Sequence, residues 1–107
     1  MNTLDIKEAA RAELRRINTS ELAFHSSHEA WAVLLEEVIE TKVEIQAVDD
    51  LVRELMGLVF SDSKKGHKFD VLGEVYTRAI NAAAEAVQVA AVASKFANFM
   101  MDDEKEV

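Results

Sequence analysis

Glu36, Glu37, Glu40 and Glu44 fall within the stretch LLEEVIETKVE, Leu34 to Glu44, whose other side chains are mostly aliphatic. A helix turns about 100° per residue, so with Leu34 as the zero direction Glu37, Glu44 and Glu40 lie at about 300°, 280° and 240°. Val38, Ile45 and Val52 fall within about 40° of Leu34, so these three acids flank an apolar stripe, and Glu36 points elsewhere, at about 200°. Like charges spaced three and four residues apart repel by a few tenths of a kcal/mol, roughly, and only Lys42 is at hand to relieve them. A solvated, Glu-rich flank explains the run by helix propensity alone. A divalent cation explains it by chemistry, since magnesium takes hard carboxylate oxygens and retains waters.

A second polar group recurs further on. Asn81, Glu85, Gln88 and Lys95 follow one another at four, three and seven residues, which sets them on one line of a helix. An antiparallel hairpin brings Glu37 and Glu40 opposite Glu85 and Gln88. Three carboxylates and an amide meeting there are costly unless a cation lies among them.

The elements that must position these groups are helices. Proline is absent from the 107 residues, and glycine occurs only at Gly57, Gly66 and Gly73, too seldom for the turns that strands need. Leu4, Ile6, Ala10, Leu14 and Ile17 predict a short amphipathic helix over about 3–17, followed by NTSE, where Thr19 or Ser20 is placed to cap the next helix. The second helix is expected from Ser26 or Ser27 to Phe60, with Trp31, Leu34, Val38, Ile45, Val48, Val52, Leu55 and Val59 as its apolar stripe. SDSKKGHKFD, Ser61 to Asp70, reads as the loop. The third helix is expected over about 69–101, with Leu72, Val75, Tyr76, Ala79, Ile80, Ala83, Val87 and Ala90 facing its partner. Its alanine-rich middle admits close approach of another helix. The acidic end, 102–107, reads as a fraying tail. The expected fold class is therefore all-α: one domain over 1–107, a short N-terminal helix and a long antiparallel helical hairpin, with two hairpins pairing into a four-helix bundle on dimerisation.

Composition narrows the function classes. Half of the residues are hydrophobic and 30% are charged, too apolar for disorder. The net charge of −8 argues against a nucleic-acid polymer, whose phosphates require a basic face, but not against a nucleotide carried with a metal ion. The absence of cysteine rules out disulfides and zinc-thiolate sites. No apolar run reaches the roughly 18 residues of a membrane span, and no basic-then-apolar leader opens the chain, so the cytoplasm is the expected location.

SSHEAWAVLLEEVIE, Ser26 to Glu40, together with AAEAVQVAAVASKF, Ala83 to Phe96, resembles the MazG-like nucleotide pyrophosphohydrolases, in particular the short single-domain versions carried by bacteriophages and prophages. The resemblance covers about 26–96. The family signature is E-E-x-x-E on one helix and E-x-x-D on the next. By resemblance Glu37, Glu40 and Glu85 are the magnesium ligands, and Glu36 is the assisting catalytic carboxylate. Gln88 stands where the family has aspartate, so it offers an oxygen to the metal but neither a charge nor a base. The resemblance implies hydrolysis of a nucleoside triphosphate between its α and β phosphates, with Lys95, Asn81 and Trp31 as substrate-contact candidates. It also implies a homo-oligomer, dimer or tetramer, in a bacterial host cell. Trp31 equally fits the apolar stripe, Lys95 equally fits a dipole-complementing role, and Glu44 becomes an ordinary flank residue. His28 reads as a capping or packing residue, and His25 and His67 as exposed. The departure at Gln88 carries the alternative: a weak or inactive relative that binds a nucleotide or a host protein.

Overall fold

The computed structural model describes residues 2–19 and 23–105, with side chains through Asp102. Three α-helices, and no strand among the described residues, run in order: α1, Thr3–Asn18; α2, Ser27–Phe60; α3, Lys65–Lys105. The chain divides into two compact units. One comprises Met1–Ile39 with Glu85–Val107, and the other Glu40–Ala84.

Local chemistry sets the helix ends. The Asn2 side chain accepts from the Leu4 backbone N–H at 2.9 Å and caps α1. Thr19 closes α1, its hydroxyl donating to the Arg16 carbonyl, and Ser20 lies outside the described residues. Ser26 caps α2, accepting from the Glu29 N–H at 3.1 Å. At the other end of α2 the Ser63 N–H donates to the Leu58 carbonyl and the Asp62 N–H to the Val59 carbonyl, with Asp62 at φ 53°. That paired bonding is a Schellman ending, which favours glycine at the left-handed position. Replacing Asp62 with glycine should raise stability by about 1 kcal/mol, readable as a higher denaturation midpoint.

The break between α2 and α3 is shorter than the loop expected over 61–70. Helix α3 begins at Lys65, because Val71 is buried and the Lys65 ammonium lies 5.3 Å from the centre of the Phe69 ring, one turn on. Gly66 costs little in a first turn. At its far end α3 continues through Lys105, beyond the expected stop near Met101.

In the first unit Ala30, Ala91 and Val92 are buried. Phe24 meets Phe96 and Phe99 edge-on, with ring centres 6.4 and 6.2 Å away. On the surface of α1 the Arg16 guanidinium, bonded to Glu13, holds the Glu13 carboxyl below its ordinary range. Small residues at the contact let helix backbones approach closely, as the alanine-rich stretch of α3 predicts. Ala30 is 0% exposed, so Ala30→Leu should overpack the contact and cost about 1–3 kcal/mol in a denaturant titration.

The apolar stripes differ from those expected. On α2, Leu34, Val38, Val48 and Leu55 are half-buried, but Trp31, Ile45, Val52 and Val59 are exposed. On α3 the disagreement is larger. Leu72, Tyr76, Ala79, Ile80, Ala83 and Ala90 are exposed, and the inward line runs through Val71, Val75, Ala82, Glu85, Gln88, Val92 and Lys95. The physical reason is that α3 has two lines able to pack. The line of valines, Ala82 and polar groups is covered within the chain, and the bulkier apolar line is not.

Candidate metal centre

Glu37, Glu40 and Glu85 converge: each offers a carboxylate oxygen, and these oxygens all lie within 4.8 Å of one another. Glu37 and Glu40 are one turn apart on the unbroken helix α2, and α3 supplies Glu85. Glu37 and Glu85 are half-buried and Glu40 is exposed. Glu85 Oε2 is buried without a hydrogen-bond partner, a costly state for a carboxylate oxygen. Oxygens on one octahedral magnesium ion at about 2.1 Å lie about 3.0 Å apart when adjacent and about 4.2 Å when opposite, so the three carboxylates would have to draw closer together to hold an ion in common. The donor set, all hard oxygen, suits magnesium and not a soft metal.

Gln88 lies one turn beyond Glu85 and is half-buried, on the same inward line of α3. Glu36 is exposed, as its separate direction on the helix anticipates, and it is not among the converging carboxylates. Asn81 is exposed, and Trp31 is 58% exposed.

Glu44 is more than a flank residue. Its carboxylate, half-buried, meets the Arg78 guanidinium of α3 at 3.4 Å. The sequence holds the signal for this pair. Once Glu37 opposes Glu85 in an antiparallel hairpin, moving seven residues along each helix sets Glu44 opposite Arg78.

Lys95 has a structural assignment absent from the sequence reading. Its ammonium donates to the Ile17 carbonyl, near the end of α1, at 3.5 Å and lies 4.9 Å from the centre of the Phe24 ring. It complements the dipole of α1 in place of that of its own helix. Lys95 and Glu37 also line one cavity of about 270 Å³, with Arg16, Ile17, Phe24 and Val33 among its walls. A neighbouring hollow of about 530 Å³ shares Lys95 and Phe24 and adds Asn18, Asn98 and Phe99. Arg16 and Phe24 went unnoticed in the sequence because α1 and the segment after it lie outside the recognisable motifs, and Asn98 because it follows the last of them on α3.

Comparison with protein-family models, with curated proteins and with solved structures finds no match. No helix among the described residues is long and apolar enough to cross a membrane.

Proposed function

We propose that this chain is a magnesium-dependent nucleoside triphosphate pyrophosphohydrolase of the MazG-like kind, releasing a nucleoside monophosphate and pyrophosphate. The observation that supports this most is the convergence of Glu37, Glu40 and Glu85, with a buried, unpartnered oxygen on Glu85. The E-E-x-x-E motif over Glu36 to Glu40 supports it independently, by resemblance.

Glu37, Glu40 and Glu85 would hold magnesium, with the Gln88 amide oxygen as an uncharged fourth donor. When bound, the ion would neutralise triphosphate charge and acidify a coordinated water. Glu36, solvated and beside Glu37 in the chain, is the carboxylate assigned to take up a proton or orient that water. Lys95 offers an ammonium to phosphate from the wall it shares with Glu37. Asn81 and Trp31 contact substrate only if it extends over exposed helix surface. Two copies complete a four-helix bundle in this reading, and the setting is the cytoplasm of a bacterial cell carrying a phage or prophage.

One residue favours a second reading. Gln88 lowers the charge of the site, which suits a module that binds a nucleotide or a host protein without turnover. Calorimetry against a panel of nucleoside triphosphates, paired with product assays in excess magnesium and in chelator, separates the two. Turnover that chelator abolishes supports the hydrolase; binding heat without turnover supports the module.

A further inference from the structure

Glu29, Val33 and Glu37 are spaced four residues apart, so they lie along one line of α2. All three line the cavity of about 270 Å³, whose remaining apolar walls are Ile17, Phe24 and the buried Val92. Along that line the chemistry changes twice. Glu37 belongs to the converging carboxylates, the middle is apolar, and the far end is again a carboxylate, that of Glu29. The Lys95 ammonium, donating to the Ile17 carbonyl at 3.5 Å and lying 4.9 Å from the centre of the Phe24 ring, ties the walls from α1 and from the segment after it to α3.

Glu29 does not do what its position predicts. Ser26-x-x-Glu29 is a capping box, in which the serine hydroxyl accepts from the glutamate N–H and the glutamate carboxylate accepts from the serine N–H. Only the first half is made, at 3.1 Å. Among the described residues the Glu29 carboxylate takes neither the return bond nor an ion pair. The Arg16 guanidinium, on the same cavity wall, is bonded to Glu13 instead. A charged acceptor is thus left at the end of the cavity away from Glu37.

We propose that this cavity takes the base and sugar of the nucleotide, and that Glu29 selects a base carrying an exocyclic amino group, cytosine or adenine, over one with a carbonyl oxygen in that place, uracil or hypoxanthine. This rests on the metal-bound triphosphate of the function proposed above. Eight residues of helix separate Glu29 from Glu37, about 12 Å along the axis, which suits the reach from a metal-bound α phosphate to the far edge of one base. The larger hollow at Asn98 and Met101 does not suit it, because those residues follow Glu85 by about 20 and 24 Å of helix. Orientation follows from charge. Phosphate is repelled by Glu29 and drawn to a cation at Glu37, so the base occupies the Glu29 end. There an amino group donates to the carboxylate, whereas a carbonyl oxygen meets a second acceptor. The aromatic wall of the pocket is Phe24 and not the Trp31 that the sequence suggests.

Calorimetric titration with α,β-methylene analogues of nucleoside triphosphates, in excess magnesium, tests the pocket without turnover. The analogue of CTP should bind at least about tenfold tighter than that of UTP, and the analogue of ATP likewise against that of ITP. Glu29→Gln, whose amide donates as well as accepts, should reduce both preferences to about twofold or less. Val33→Phe fills the cavity and should weaken every analogue more than about tenfold, while a persisting magnesium-dependent melting shift reports that the variant is folded. Equal affinities within each pair, or preferences unchanged in Glu29→Gln, would overturn selection by Glu29. Unchanged analogue binding in Val33→Phe would overturn the pocket. Those results leave hydrolysis standing, whereas selective analogue binding with no turnover of CTP or ATP would support the pocket and remove the hydrolase.

Discussion

Replacing Glu85 with glutamine is expected to remove the stabilisation that magnesium confers and to lower hydrolysis by more than about 100-fold, because losing a ligand should exceed the 10- to 100-fold losses seen for groups that only support ligands. The substitution keeps the shape of the side chain and removes one of three converging charges. Without metal, the variant should therefore be at least as stable as the parent chain, since carboxylate repulsion is relieved. That opposite response separates a ligand from a structural residue. For the parent, magnesium at 100 times its dissociation constant contributes about 2.7 kcal/mol. In a domain of this size that corresponds to a melting shift of about 10 °C or more. Differential scanning calorimetry with and without magnesium reads both quantities. Glu37→Gln should behave in the same way, and an unchanged magnesium shift in either variant would remove that residue from the site.

Replacing Gln88 with aspartate is expected to act in the other direction. A fourth carboxylate about 4 Å from a divalent ion gains several kcal/mol at an effective dielectric near 20, offset in part by repulsion from the other three acids. The net expectation is magnesium binding at least about tenfold tighter, with metal-free stability lowered. Isothermal titration with magnesium alone measures the first and thermal denaturation in chelator the second. If tighter binding came with faster hydrolysis, Gln88 would be what limits the native site. If metal affinity did not change, Gln88 would lie outside the ligand shell.

The helical class, the number of helices and the position of α2 were legible from the sequence because proline is absent and Ser26 and Ser61–Ser63 supply start and stop chemistry. The convergence of Glu37, Glu40 and Glu85 was legible because helical spacing and one antiparallel register are enough to place them. The inward face of α3 was not. Periodicity identifies an apolar line but not which of two lines faces its own chain, and Leu72, Tyr76 and Ile80 mark the one that lies open. The role of Lys95 was hidden for a related reason. Its contacts, the Ile17 carbonyl and the Phe24 ring, come from distant parts of the sequence that no spacing rule links to it.

The extended helices also bear on how the site is built. Within this chain the polar line of α3 packs inward with Glu85 and Gln88, and Ala82 and Ala91 keep the contact close. Burying acids at such a contact is unfavourable in itself. On the proposed reading, a cation at the triad would offset that cost and tie the stability of the contact to magnesium.

The most direct test is phosphorus NMR of the products formed when the chain is incubated with a panel of nucleoside triphosphates in excess magnesium. The expected result is paired growth of monophosphate and pyrophosphate resonances, absent in chelator and absent for Glu85→Gln. Diphosphate with inorganic phosphate, or no conversion across a panel that an active pyrophosphohydrolase consumes under the same conditions, would contradict the assignment.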